Sequence, residues 1–466
     1  MKRFCGAVLL ALATASCTVG PNYRVPPHAT ANAPGANGAF VNGGETAFAA
    51  APLPDHWWRL YDDLRLDDYV REALAANTDL RAADANLRRA TFAVREAKAA
   101  QTVSTVISGS AADTRAAGID ILSFPGYSYA LGGAISYPLD LAGGIRRAVE
   151  TARADAEAVQ ATRDQVRVTV AAAITRNYMA VCSGNRSLAA AERVVGIQRK
   201  TLDEVSRLFR GGRATAFDVT RAQTAVDQSA AAIPPIIAQR QTALYALAAL
   251  MGRPVASYPR ELQDCPAPPD LREPLPIGDG AALIRRRSDV RAAERSLAAA
   301  TAAIGIETAQ LYPQVSIGGA MGFAGLFSTI GSGSNFGGNV GPLVSWTFPN
   351  LSVAHARIAE AGAAAEAADA RFDGAVLLAL QQTETALDTY VREVDHNREL
   401  RQARDSAAKA SSQATTLFRF GRTAILDVLN VEASLATAET AVASSDEALA
   451  DDQANVFLAL GGGWEP

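Results

Sequence analysis

Few residues in this chain are placed to do reactive chemistry. It holds four cysteines and four histidines. His28, His56, His355 and His396 share no metal-ligand spacing with one another or with a cysteine. Gly331-x-Gly333 falls in a Gly/Ser-rich stretch rather than after a strand that opens a helix, so it is no nucleotide fingerprint. No G-x-S-x-G nucleophile elbow occurs. The residues point to no enzyme, no metal and no cofactor. What stands out is charge at two related turns. Leu208–Val219 and Leu417–Val428 share Leu, Phe, Arg, Gly, Arg, Asp and Val at equal places. They carry Arg210, Arg213 and Asp218 in the first copy, and Arg419, Arg422 and Asp427 in the second.

A carboxylate at a constriction binds cations, and arginines at an exposed turn dock a partner or hold a closure by ion pairs. Each has a plainer alternative. Thr215-x-x-Asp218 is a capping box, so Asp218 is structural first. Asp427 is expected to cap poorly, because Thr423 stands one place too far away, and a functional role takes precedence. For the four arginines the alternative is a solvated turn.

The cysteines separate by position. Lys2 and Arg3 precede an apolar run, Phe4 to Ala15, that ends in Ala15-Ser16-Cys17. Residues 1–16 form a signal peptide by this pattern. A plain secretory signal is one reading. The favoured one is a lipoprotein signal that leaves Cys17 as the acylated first residue and tethers the chain to a membrane surface. Cys182 and Cys265 remain, in an oxidising compartment. Cys182 lies 30 residues before Gly212 (212−182), and so about 45 Å from the turn along a helix. The returning helix covers about 50 Å before the stretch holding Cys265 begins. A disulfide between them is feasible.

The elements that must position these residues are long helices and short alternating stretches. Residues 17–55 are rich in Pro, Gly, Asn and Ala and are expected to be an extended linker. Trp57-Trp58 is expected to pack at the start of a helix rather than at a membrane interface. Leu80, Leu87 and Val94 recur every seventh residue as a coiled-coil seam. Tyr127 to Tyr137 then alternates aromatic and aliphatic residues with small polar ones, without charge, as a transmembrane β-strand would. Strands are expected over about 102–112, 127–137, 314–324 and 339–348, with loops over 113–126 and 325–338. Helix runs from Gly143-Gly144 to Phe209, about 100 Å, and turns at Gly212. It returns from Ala216 to Met251, and Pro234-Pro235 must break this limb. Residues 252–280 are a Pro-rich connector.

The pattern then repeats. Ser136/Ser345, Glu157/Glu366 and Leu208/Leu417 are each 209 apart (345−136, 366−157, 417−208). Residues 56–251 and 281–466 are a tandem duplication, with a second long helix over 351–418, a turn at Gly421 and a return from Ala424. No stretch is apolar enough for a membrane helix. Four strands cannot close a barrel, and open edges are not tolerated in lipid, so the chain must associate. Eight strands would leave an interior filled by side chains. Twelve strands, from three chains, leave a lumen when Ser128, Gly132, Ser136, Gly318 and Gly322 face inward. The net charge of −4 gives no reason to expect nucleic acid.

At this point the chain resembles the TolC-type outer-membrane efflux factors, in the NodT-like lipoprotein subgroup. The resemblance covers the mature sequence. Its carriers are Cys17-Thr18-Val19-Gly20-Pro21-Asn22-Tyr23, the run Ala281–Arg295, Gly421–Val428 and the ending Ala459-Leu460-Gly461-Gly462-Gly463-Trp464. Ser288 stands where the family usually has Pro. The resemblance implies a mixed α and β membrane protein, a homotrimer with a twelve-stranded barrel continued by an α-helical periplasmic tunnel. It also implies docking to a periplasmic adaptor of the membrane-fusion class and to a proton-driven inner-membrane transporter of the RND type. Asp427 matches an acidic position that lines the tunnel entrance in that family. A second acid often stands one turn on, where this chain has Asn430, so one ring of carboxylates is expected, with a weaker cation site. The tips around Arg210, Gly212, Arg213, Arg419, Gly421 and Arg422 become adaptor-docking candidates. The second hairpin is expected to face the channel and move, and the first to be the static outer member. A type I protein secretion duct, or a lipid-anchored scaffold with no pore, are the alternatives.

Overall fold

The computed structural model describes residues 18–114, 126–271, 274–348 and 351–462. The signal segment, Cys17, most of the loop expected at 113–126, and Gly463 and Trp464 lie outside them. The described chain falls into two compact units, which cut across the sequence repeats. One comprises residues up to Ala29, Ala85–Ala161 and Arg291–Gly374. The other comprises Thr30–Asp84, Thr162–Val290 and the chain from Ala375 onward.

The first unit is built on a four-stranded antiparallel sheet, order β2-β3-β5-β6. Its strands are β2 (Ser104–Thr114), β3 (Gly126–Leu139), β5 (Gln314–Leu326) and β6 (Phe336–Ser345). Register sorts the side chains by face. Leu131 lies opposite Phe323, Tyr137 opposite Ile317, and Gly132 opposite Gly322. Val315 faces Val344 and Phe323 faces Phe336. One face therefore gathers Tyr127, Leu131, Ile135, Tyr137, Ile317, Met321, Phe323, Phe336, Val340 and Val344, all of them exposed. The other carries Ala130 opposite Ala324, Ala134 opposite Ala320 and Ser136 opposite Gly318. Gly322 belongs there by necessity, because a Cβ would come within 2.5 Å of the Leu131 carbonyl oxygen. β6 begins and ends three residues before the range expected from alternation. Trp346 and Phe348 thus lie just beyond the strand, stacked with ring centroids 4.9 Å apart. Trp346 donates from Nε1 to the Leu311 carbonyl at 3.2 Å. Among the described residues, β2 and β6 each pair on one side only.

The second unit is helical. It contains α1 (Leu64–Ala76), and α2 (Thr78–Ala99) begins in it. The long helix α3 (Gly144–Arg210) is followed by α4 (Ala216–Ala231) and α5 (Ile233–Leu250). Then come α6 (Gly280–Arg286), α7 (Ser288–Ala309), the long α8 (Leu351–Arg419) and the return α9 (Ile425–Ala459). Of these helices, α3 up to Ala161, α7 from Arg291 and α8 up to Gly374 belong to the first unit. The limb after α3 breaks at Ala232, because Pro234 and Pro235 cannot donate to the preceding turn but fit the first turn of α5. The second-repeat limb has no proline and runs as one helix of 35 residues.

The residues before α1 are not an extended linker, contrary to the composition. Phe48–Ala49 (β1) pairs in parallel with Leu275–Pro276 (β4). Phe40, Phe48 and Leu53 are buried with Trp57, Trp58, Leu262 and Ile277 in the core of this unit. The few apolar residues in a Pro/Gly-rich stretch supplied enough burial to order it. Trp57 stacks on Phe457 at 4.4 Å, so the tryptophan pair packs as expected. The α2 seam is only half covered at Leu87 and Val94, whereas in α7 Val290 and Leu297 are buried.

Candidate channel entrance

Both turns end their helices with a left-handed glycine. Gly212 has φ +70 and Gly421 has φ +68. Arg213 N–H donates to the Leu208 carbonyl at 2.8 Å, and Arg422 N–H to the Leu417 carbonyl at 2.9 Å. These bonds run six residues to one and close the last turn in the Schellman pattern. Gly211, next to Gly212, has no positive φ, so only one glycine of that pair is required by the turn.

At the first tip, Asp218 is the expected cap. Its Oδ2 accepts from Thr215 N–H at 2.9 Å and from Thr215 Oγ1 at 2.7 Å, and its own N–H donates to Thr215 Oγ1 at 3.2 Å. The hydrogen bonds from Thr215, side chain first, hold the Asp218 carboxyl below the usual carboxylate range. At the second tip the expectation of an uncapped Asp427 is overturned. The helix starts at Ile425, one residue later than Thr423 would dictate, so Asp427 occupies its third position. Asp427 Oδ2 accepts from Thr423 Oγ1 at 2.5 Å and from Ala424 N–H at 3.3 Å. Ala424 has no side-chain acceptor to return the bond, so this cap is one-sided. Asp427 and Asn430 are both exposed, on successive turns of α9.

Arg210, Arg213, Arg419 and Arg422 are exposed. Among the described residues none of the four forms an ion pair within the chain, so no salt bridge inside one chain holds these turns. Around them lie apolar side chains that the sequence pattern did not single out. Phe217 is 66% exposed and Phe420 76%. The signal was available, since an aromatic residue at a turn with no partner one helical turn away has nowhere to bury. Arg221 covers part of Phe217, its guanidinium carbon 5.6 Å from the ring centre.

The two hairpins are joined just behind their tips. Val205 of α3, Ala222 of α4 and Leu429 of α9 form one buried cluster. Thr201 Oγ1 donates to Glu432 Oε1 at 2.9 Å, and burial pushes the Glu432 carboxyl up. Farther along α9, Asp446 is buried. It accepts from Asn397 at 2.8 Å and pairs with Arg186 and Arg401. Cys182 and Cys265 are bonded, with Cα atoms 5.1 Å apart. No group of His, Cys, Asp or Glu among the described residues could hold a metal.

This geometry has counterparts among known proteins. The family described as outer membrane efflux protein matches residues 69–253 and 281–462, one segment per repeat. The chain belongs to the outer membrane efflux protein family. It is 27% identical over 464 residues to nodulation protein T of Rhizobium leguminosarum bv. trifolii, covering 98% of this chain and 96% of that one. It is 26% identical to the probable efflux pump outer membrane protein TtgC of Pseudomonas putida, covering 99% and 96%. The solved outer-membrane channel OprN is 31% identical, with a TM-score of 0.87 over 97% of this chain and all of that one. The fold is thus that of TolC-type outer-membrane channels. Members of this family are transport proteins of the outer membrane that extend into the periplasm, not enzymes.

Proposed function

We infer that this protein is the outer-membrane exit duct of a tripartite efflux pump, passively conducting small molecules that an inner-membrane transporter delivers. The observation that carries the reading is the sheet. It has one face rich in large apolar side chains, one face dominated by Gly, Ala and Ser, and two edges left unpaired among the described residues. Lipid forbids open edges, so three copies closing a twelve-stranded barrel satisfy both edges and turn the small face to a lumen. The half-covered α2 seam supports the same association, since a neighbouring copy would complete its burial. A scaffold without a pore has no use for such a sheet.

In this reading Cys17 carries the lipid, and the tips Arg210, Arg213, Arg419 and Arg422 with Phe217 and Phe420 face a periplasmic adaptor. Asp427 supplies one ring of three carboxylates at the entrance, with Asn430 in place of a second. Because the four arginines form no ion pair with the described residues of their own chain, an ion pair that closes the entrance would run between chains. The transporter is of the proton-driven RND type. Purified protein in planar bilayers tests the conduit. Discrete channels from a crosslinked trimer are expected, and a crosslinked trimer that inserts but gives no conductance would refute it.

A further inference from the structure

The residues that immediately follow Cys17 are fixed to the foot of the sheet by one buried side chain. Arg147, in the first turn of α3, is 2% exposed. Its Nε donates to the Val19 carbonyl at 2.9 Å. Its Nη2 donates to the Gly20 carbonyl at 3.0 Å and to Asn22 Oδ1 at 2.9 Å. Its Nη1 pairs with Glu150 at 2.7 Å. Val19 N–H donates in turn to the Ala142 carbonyl at 3.1 Å, three residues beyond the end of β3.

Three glycines make room for this arrangement. A Cβ on Gly20 would lie 2.5 Å from Gly305 Cα, one on Gly305 would lie 2.7 Å from Arg147 Cγ, and one on Gly143 would lie 2.8 Å from Thr18 Cα. Gly20 and Gly143 also have positive φ, which other residues adopt at a cost. Farther on, the Tyr23 hydroxyl donates to Glu294 at 3.2 Å, and Arg295 lies over the Tyr23 ring at 5.6 Å. Nothing in this set is a loose tether. A guanidinium that gives its donors to two backbone carbonyls and an amide oxygen of a single short segment is a built receptor for that segment.

We propose that Arg147 is a positioning residue for the lipid anchor, holding Thr18–Asn22 so that acyl chains on Cys17 enter the bilayer at the foot of β3. This rests on the lipoprotein reading of Cys17. Thr18, the residue after Cys17 in the sequence, packs closely against Gly143. The same end of the sheet carries Tyr137, and Trp346 and Phe348 follow β6 there, amphipathic or apolar rings of the kind that settle at a membrane surface. Lipid and rings then mark one level, and the anchor sets the depth at which the strands enter. A flexible leader would hold the chain near the membrane without setting that depth.

The test uses the full-length precursor expressed with its own signal in a Gram-negative host. The N-terminal peptide is analysed by mass spectrometry, and the sheet is assayed in washed outer membranes by protease resistance. Two variants separate anchoring from simple stability. Arg147→Ala removes the receptor. A six-residue Gly/Ser spacer between Cys17 and Thr18 leaves the receptor intact but adds up to about 20 Å of slack. Both are expected to remain acylated and membrane-bound while the protease-resistant fraction falls about tenfold or more. A spacer variant as resistant as the parent would overturn the proposal, because a merely structural clamp is indifferent to slack before it. An unacylated Cys17 in the parent would instead overturn the lipoprotein reading, and the anchor proposal with it.

Discussion

Thr423 Oγ1 and Ala424 N–H both donate to one oxygen of Asp427, at 2.5 and 3.3 Å. The residue proposed to line the entrance therefore also starts the helix that presents it. A side chain with two local bonds is held in one rotamer, which suits a ring of charge at a constriction.

The two roles separate by substitution. Asp427→Asn keeps an acceptor for the cap and removes the charge. It is expected to raise leak conductance in planar bilayers and abolish block by polyvalent cations, with little change in stability. Asp427→Ala loses the cap as well, at about 1 kcal/mol. Arg422→Ala is expected to raise leak too. Unchanged conductance in both Asp427→Asn and Arg422→Ala would sink the gating idea.

The Cys182–Cys265 bond closes a loop of sequence separation 83. In the chain-entropy account such a loop is worth about 4 kcal/mol. Thiol titration of denatured mature protein is expected to find no free thiol, and the double serine variant is expected to lose several degrees of Tm. Two titratable thiols would exclude the bond.

Asp452 gives a pH dependence. Burial, then the neighbouring Asp451 and Glu393 carboxylates, push it up to about 6 from an ordinary 3.8. The folded state therefore holds this proton more tightly than the unfolded state. Stability from this site is lost as pH rises from about 4 through 6, and is not regained above. Asp452→Asn is expected to raise Tm at pH 7.5, with the gain vanishing near pH 4. A gain that is the same at both pH values would contradict the assignment.

The small face of the sheet has unequal tolerance. Gly322 has no room for a methyl group, whereas nothing lies within 4 Å of a Cβ placed on Gly337. Gly322→Ala is expected to cost about 1–3 kcal/mol or to block assembly, and Gly337→Ala to be tolerated. Heat-induced dissociation on a gel distinguishes them, and equal behaviour would argue against the register.

Much of the architecture was legible because two periodicities are hard to confuse. The uncharged alternation at Tyr127–Tyr137 and the unbroken helical pattern up to Phe209 placed strand and helix within a few residues. The 209-residue repeat located the second set. The segment before Trp57 was misread, because its order comes from Phe40, Phe48 and Leu53 finding a distant core, which no local pattern encodes. The cap at Asp427 was missed for a smaller reason. A shift of one residue in the helix start changes which neighbour can cap, and helix starts are the least local of boundaries. Arg147 gave no signal at all, being one arginine among many until its acceptors are seen.

The break at Ala232 has a consequence for anything that meets the tips. Three copies of a duplicated chain would offer six nearly equal hairpins, a surface that could be engaged in either of two settings a sixth of a turn apart. Only the first hairpin of each copy has its returning limb cut by Pro234 and Pro235. In the proposed trimer every second hairpin would thereby be marked, and the ring would have a three-step rotation with one correct alignment per step.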